Sequence, residues 1–343
     1  MALFGLIDIN NFFVSCERIF RPDLACKPVG VLSNNDDCFV ARSNEVKELG
    51  IPMGGPLFRY KRLIEEHKVT LFSSNFALYS DISSRFMSFV ESLVPKLEIY
   101  SIDEAFIDFT GITDLRNLAL SIQEQVLKSL GLPACIGVSK TKTLAKVANH
   151  MAKKKPSCKG VCVLESDEDI EGALKWIEVQ DLWGVGRRLA PRLREQGIRT
   201  GYDLQQADLR WMRRHFTVIG ERLVNELRGI PCLELEETPD SRKSIQVSRS
   251  FSEYITTFED LRANVASYAA RLGAKLRKQK LKTAHVLVYI RTNPHNKTYG
   301  SYYESFTVQL PMAVNDDTNL IKACVRALSA IYKQGYFYKK AGV

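Results

Sequence analysis

The sequence predicts an α+β chain built from several small domains, and three observations carry that prediction. An apolar run of strand length, LFGLIDI, opens the chain and delivers Asp8 to its C-terminal edge. Two β-prone arms in KLEIYSIDEAFIDFTG flank Ser101-Ile102-Asp103-Glu104, the pattern of a hairpin presenting two adjacent carboxylates. After a charged, Pro-containing stretch, LELEETPDSRKS, the segments alternate strand, long helix, strand, strand, helix, with a last strand from Tyr336, which reads as a split-βαβ sandwich. A chain of 343 residues is long enough for roughly two to four such domains.

Taken in order, Asn10 and Asn11 offer N-cap chemistry to a short helix, FFVSCERIF. Residues 20–74 mix short strands with a helix around Ser43–Leu49, closed by Gly50, and with the turn residues IPMGGP, so they read as a small inserted module. A helix is expected at 78–94, ahead of the hairpin. In SKTKTLAKVANHMAKKKPS, Leu144, Val147, Ala148 and Met151 share one helical stripe, while Lys142, Lys146 and Lys153 form a lysine ridge on the opposite side. Helices dominate 170–230. In the last module, Leu261, Val265, Tyr268, Leu272 and Leu276 make one buried stripe, and Leu320, Ile321, Cys324, Leu328 and Ile331 another. Strand alternation there turns Val286, Val288 and Ile290 toward the helices and His285, Tyr289, Arg291, Ser305, Thr307 and Gln309 outward.

The composition is that of a soluble protein, 45% apolar and 25% charged, and the apolar N-terminus interrupted by Asp8 is neither a signal peptide nor a membrane span. A cytosolic location follows. The eight cysteines include no C-x-x-C pair, which argues against zinc and against a disulfide framework and assigns them to a reduced core. The net charge of +9 is split unevenly, −4 over residues 1–137 and +13 over 138–343, the footprint of a polyanion-binding surface in the second part.

Asp8, Asp103 and Glu104 each have an ordinary explanation as a cap or turn acid. Together they stand at the ends of apolar segments expected to lie side by side. Two like charges about 4 Å apart repel by roughly 4 kcal/mol at an effective dielectric of about 20, so the cluster needs protons or divalent cations. Oxygen-only donors suit Mg2+, and a pair of such ions suits phosphoryl transfer. Gly184-Val185-Gly186 ahead of a helix starting at Arg187 resembles a helix-hairpin-helix turn, in which backbone N–H groups would approach a phosphate with Arg187 and Arg188 adding charge; any tight interhelical turn could also supply such a glycine pair.

DINNFF, SIDEAF and GVSKTKTLAKVANHMAKK occur in this order, and over nearly its whole length the chain resembles the Y-family DNA polymerases. LSNND, FRPDL, LWGVGRR and YKKAGV make it similar to the UmuC-type catalytic subunits of bacterial DNA polymerase V. The resemblance implies a right-hand polymerase, with palm (1–11 and 75–169), small fingers (20–74), a helix-hairpin-helix thumb (12–19 and 170–236), a linker (237–242) and a little finger (243–343). It implies template-directed, low-fidelity synthesis across damaged DNA in SOS-type mutagenesis. Asp8 and Asp103 would bridge two Mg2+ ions, with Glu104 and the Ile9 carbonyl completing their shells. Phe13 stands at the steric gate against ribonucleotides, where the UmuC branch usually carries Tyr. Asn44, Lys47 and Lys153 match positions that reach the triphosphate. Gly184, Gly186, Arg187, Arg188, Arg249 and Arg291 would touch DNA. Asp37 stands where relatives carry Gly. Primed template and dNTPs are the implied partners, with a UmuD'-like dimer, a recombinase filament and a sliding clamp; the usual C-terminal tail that would meet them is expected to be absent after YKKAGV, which reads as a truncated or a natural short form. A non-catalytic DNA-binding scaffold and a nucleotide cyclase are the competing readings. The intact acids oppose the first, and the lack of a GGDEF-like glycine pair opposes the second.

Overall fold

β1 (Phe4–Ile9) is the middle strand of the largest sheet in the computed structural model, which describes residues 2–236, 243–296 and 298–343. Its apolar side chains are buried on both faces, hence the continuous hydrophobic run. The chain then enters α1 (Phe12–Phe20). Asn11 sits at its N-cap but makes no side-chain cap bond: it adopts the left-handed conformation (φ 51°), and its amide is diverted to residues of the inserted module.

That module is a sheet of β2 (Val29–Leu32), β3 (Phe39–Arg42) and β4 (Thr70–Ser73), ordered β3-β2-β4, with α2 (Asn44–Glu48) and α3 (Lys61–Glu66) between its last two strands. It has its own small core of Leu32, Phe39, Val46, Ile51 and Val69. Ser43 caps α2 by accepting from the Val46 N–H, and Gly50 (φ 79°) follows its end, as the sequence foretells. The positive φ of this loop falls on Asp36 and not on Asp37, so position 37 needs no glycine for its backbone.

Next come α4 (Phe76–Glu91), the hairpin β5 (Leu97–Ile99) and β6 (Glu104–Asp108), then α5 (Leu115–Leu130), β7 (Ala134–Ser139), α6 (Lys142–Lys154) and β8 (Val161–Leu164). The sheet order is β5-β6-β1-β7-β8, with β1 antiparallel to both neighbours and Asp8 in register with Glu104 and Cys135. Ile7, Ile9, Ile107, Ile136 and Val138 bury one face together with α4 and α5. α6 covers the other face at very close range. A Cβ on Gly137 would stand 2.1 Å from the backbone nitrogen of Asn149. The buried Asn149 amide donates to the carbonyls of Leu6 (3.2 Å) and Cys135 (2.9 Å), fixing the helix in rotation and translation.

α7 (Asp167–Trp176), α8 (Leu189–Glu195), α9 (Gly201–Gln205) and α10 (Leu209–Leu227) gather on α6 around Leu174, Leu193, Leu204, Met212 and Val224. α8 begins at Leu189 with Arg188 as N-cap, two residues later than the sequence suggests. α10 is two helices joined at Thr217, whose φ of 64° is rare for a β-branched residue.

The chain divides into two compact units, Met1–Pro239 and Asp240–Val343. The second unit comprises β9 (Ser248–Ile255), α11 (Phe258–Lys278), β10 (Thr283–Thr292), β11 (Tyr303–Val314), α12 (Asp317–Ile331) and β12 (Tyr338–Gly342). Its order, β11-β10-β12-β9, is antiparallel throughout, so each helix crosses between parallel strands separated by a third: two interleaved split-βαβ units. The last strand starts at Tyr338 rather than Tyr336. The two helical stripes meet Val286, Val288 and Ile290 in one core, while His285, Ser305, Thr307 and Gln309 are exposed on the other face. The expected linker, 237–242, lies outside the described residues. Among the described residues no helix is long and apolar enough to cross a membrane. The described cysteines are all free, but not all are core: Cys26 is exposed, at a positive-φ turn.

The contact at Gly137 predicts its own test. Gly137→Ala forces a methyl into the α6 backbone and is expected to lower the unfolding free energy by about 3 kcal/mol. Urea denaturation of the purified variant checks this, and an unchanged midpoint would mean that α6 does not lie flush on β7.

Candidate active site

The three acids converge because β1 ends where β6 begins. Asp8 and Glu104 are cross-strand partners, and the Ile9 N–H donates to the Asp103 carbonyl at 2.9 Å. Asp103 lies in the hairpin turn, where the Ser101 hydroxyl donates to its Oδ1 at 2.7 Å. The lysine ridge of α6 faces this strand end, and every lysine in it meets an acid. Lys153 Nζ is 2.6 Å from Asp8 Oδ1. Lys146 Nζ lies 3.0 and 3.1 Å from the two Glu104 oxygens, and Lys142 forms a buried pair with Glu98.

These ion pairs decide how the acids could hold a metal. Among the described residues, no three carboxylates, histidines or cysteines stand as a formed metal site. The donors nevertheless fit a hard divalent cation in kind: all are oxygens, they are adjacent, and Asp8 is buried enough to need a counter-charge. Burial pushes the Asp8 carboxyl up to about 6; Lys153 opposes that rise, while Asp103 and Glu104 add to it.

Beside the acids opens a cavity of about 630 Å³ lined by Asp8, Ile9, Phe13, Asn44, Lys47, Asp103 and Lys153, all predicted from sequence. Glu104 is absent from its lining because its carboxylate is turned to Lys146. Asn11 ties two walls together: its amide donates to Asn44 Oδ1 at 3.0 Å, and its oxygen accepts from Lys47 Nζ at 2.5 Å. Burial lowers the pKa of Lys47, helped by Arg42, Lys153 and Lys154. Arg42 and Lys154 also line the cavity and escaped the sequence reading. The Arg42 guanidinium donates to the Ile51 carbonyl at 2.6 Å, and its buried Nε has no hydrogen-bond partner among the described residues.

Phe13 is held as a rigid wall. Its ring stacks on Tyr79 at 4.4 Å (17°) and meets Phe76 edge-on at 5.8 Å. Tyr79 is locked in turn by donating its phenolic proton to Glu17 Oε1 at 2.6 Å.

The expected DNA contacts fall in separate places. Gly184, Gly186, Arg187 and Arg188 are exposed in the turn before α8. Gly184 needs its φ of 87°, whereas a Cβ on Gly186 would meet nothing within 4 Å, so internal packing does not explain that glycine. In the second unit, Arg291 is in register with Lys340 on the outward face. Arg249 is in register with Ala341, which is buried against the helices, so the edge strand turns Arg249 to the helix side, beside Arg271 and Lys275.

A family model described as the impB/mucB/samB family matches residues 7–150, and the C-terminal domain of the same family matches 242–343. Protein UmuC of Salmonella typhimurium (strain LT2) is 44% identical over 99% of this chain and 82% of its own length. Protein MucB of Escherichia coli is 41% identical over 99% and 82%. DNA polymerase IV of Dehalococcoides mccartyi is 28% identical over 83% and 73%. Among solved structures, a Y-family DNA polymerase chimera of Dbh and Dpo4 has a TM-score of 0.82 at 18% identity, covering 99% of this chain and 98% of that one. The insertion ternary complex of Dbh DNA polymerase has a TM-score of 0.62 at 18% identity, covering 99% and 97%.

The raised Asp8 carboxyl has a pH signature. Between about pH 4 and 6 the folded chain keeps a proton there that the unfolded chain has released, so this group's contribution is fully present below about pH 4 and is lost as pH rises through about 6. At neutral pH the charged form costs the fold about 3 kcal/mol. With EDTA present, Asp8→Asn is expected to stabilise the chain by about 1–3 kcal/mol at pH 7.5 and hardly at all at pH 4. Urea unfolding at the two pH values checks this, and equal effects at both would contradict it.

Proposed function

The chain belongs to the impB/mucB/samB family and has the fold of a Y-family DNA polymerase, and from that premise we propose how its residues divide the labour of DNA synthesis. The enzyme is a DNA-directed DNA polymerase that copies damaged template, a translesion polymerase. The single observation that carries the residue assignments is the convergence of Asp8, Asp103, Phe13, Asn44, Lys47 and Lys153 on one cavity from four different stretches of chain.

In this reading Asp8 and Asp103 would hold two Mg2+ ions, with Glu104 and the Ile9 carbonyl completing the set. When bound, the ions neutralise the carboxylates and stabilise the charge that develops as a primer 3'-hydroxyl attacks the α-phosphate of a dNTP and pyrophosphate leaves. Ser101 orients the Asp103 carboxylate through its hydroxyl. Lys47 and Lys153 are compact cations at the cavity wall suited to triphosphate oxygens, and Asn44 is positioned with Lys47 by Asn11. Phe13, braced by Tyr79, occupies the space a ribose 2'-hydroxyl would need and leaves deoxyribose unhindered. No side chain is required as a general base, because positioning and electrostatics suffice for this transfer.

The domain roles follow the same reading. Residues 1–11 and 75–169 are the palm, 20–74 the fingers, 12–19 and 170–236 the thumb, and 243–343 the little finger, with 237–242 linking the last two. Gly184 and Gly186 let backbone N–H groups reach a phosphate, and Arg187 and Arg188 add charge. Arg291 stands on the outer sheet face of the little finger, whereas Arg249 stands on its helix side beside Arg271 and Lys275. The substrates are primed template and dNTPs; a UmuD'-like dimer, a recombinase filament and a sliding clamp are the further partners, in the bacterial cytosol at the nucleoid, as part of SOS mutagenesis.

Primer extension with Mg2+ and dNTPs tests the assignment. Template-dependent products are expected from the parent, with Asp103→Ala slower by about a hundredfold or more. Phe13→Ala is expected to extend with dNTPs yet lose about tenfold to a hundredfold of its selectivity against rNTPs. Unchanged selectivity would remove Phe13 from the gate.

A further inference from the structure

Lys146 does more than balance charge. Its ammonium lies 4.3 Å from the ring centre of Tyr100, 5.2 Å from that of Trp183 and 5.7 Å from that of Phe106. Ring faces attract an ammonium without consuming its N–H donors. The donors stay free for Glu104, which accepts on both oxygens. The cage is itself held in shape. The Trp183 indole N–H donates to the Tyr100 hydroxyl at 3.1 Å, and the two rings meet edge-on at 5.6 Å. The Tyr100 backbone N–H donates to the Glu104 carbonyl at 3.1 Å. Trp183 packs with Phe4, Leu6, Phe106 and Ala145 between the central sheet and α6, and it immediately precedes Gly184 (φ 87°), the first glycine of the exposed turn.

We propose that Trp183 is a positioning residue that couples the glycine turn at 184–186 to the Glu104 carboxylate, acting through Tyr100 and Lys146. A phosphate seated on the turn fixes the residue next to Gly184, the indole fixes the Tyr100 ring, and the cage fixes the ammonium that orients Glu104. Duplex engagement thereby prepares one carboxylate of the metal-binding set. The inference rests on the reading of Glu104 as a metal ligand and of the turn as a duplex grip. It goes beyond that reading by giving a task to an aromatic residue that does not line the cavity. Every link is a direct contact, so the coupling runs through one contiguous network.

The test uses the full chain and Mn2+ titrated by electron paramagnetic resonance with a non-hydrolysable dNTP analogue, with and without primed duplex. Duplex affinity is measured separately by anisotropy, and folding by thermal melting. In the parent, duplex is expected to tighten Mn2+ binding. Trp183→Phe keeps an aromatic ring and removes the N–H, and Tyr100→Phe removes its acceptor. Each is expected to raise half-saturating Mn2+ in the presence of duplex by about three- to tenfold. The double variant should be no worse than either single one, because both remove the same hydrogen bond. Duplex affinity measured without divalent metal, and melting, should be unchanged, whereas with Mn2+ present duplex affinity should weaken by the same factor. Glu104→Gln provides the reference and is expected to weaken Mn2+ binding with or without duplex. If Glu104→Gln weakens binding while Trp183→Phe does not, the coupling is wrong and the active-site reading survives. Effects of the two single variants that multiply, or that follow the melting temperature, also overturn the coupling. If Glu104→Gln binds Mn2+ like the parent, the active-site reading fails and the coupling falls with it.

Discussion

A row of lysines on α6 meets a row of acids at the end of the central sheet, and the packing of the first unit depends on that match. Lys142 meets Glu98, Lys146 meets Glu104 and Lys153 meets Asp8. Carboxylates brought this close in a partly buried site repel by several kcal/mol without compensation. The helix supplies it only because its register is fixed by the bare Cα of Gly137 and by the Asn149 amide on two strand carbonyls. A small shift of α6 would leave at least one buried acid unpaired.

The same pairing sets the chemistry that follows. Asp8 is the acid held against its normal ionisation by burial, so it has most to gain from a divalent cation. Its present partner, Lys153, is the most exposed lysine of the row and also lines the cavity beside the acids. In the proposed reading this side chain exchanges a carboxylate for a phosphate. Glu104 differs, because its lysine is caged by aromatic rings and turned away from the cavity. The two outer acids of the cluster are compensated by lysines of unequal freedom.

Much of this was legible in the sequence, for reasons tied to particular residues. LFGLIDI reads as a buried strand because nothing in it but Asp8 is polar, and SIDEAF as a hairpin because a short polar turn separates two β-prone arms. The lysine ridge is visible as a helical period, but its partners are not, since Glu98 and Glu104 lie some forty residues away and periodicity carries no information about what faces a helix. Arg42 was missed for the same reason: only the folded module brings it to the cavity. Arg249 needed the register of an edge strand to reveal its side. Thr217 sits in an unbroken helical pattern and is bent by backbone geometry that composition does not announce. Asn11 has the composition of a cap and works instead as a tie between two cavity walls.

The most direct measurement is a crystal structure of the full chain with primed template, a non-hydrolysable dNTP analogue and Mn2+, with the metal located by its anomalous signal. The account predicts manganese between the carboxylates of Asp8 and Asp103, with the Lys153 ammonium moved from Asp8 to the triphosphate. Manganese bound elsewhere, or Lys153 still paired with Asp8 while nucleotide fills the cavity, would contradict it.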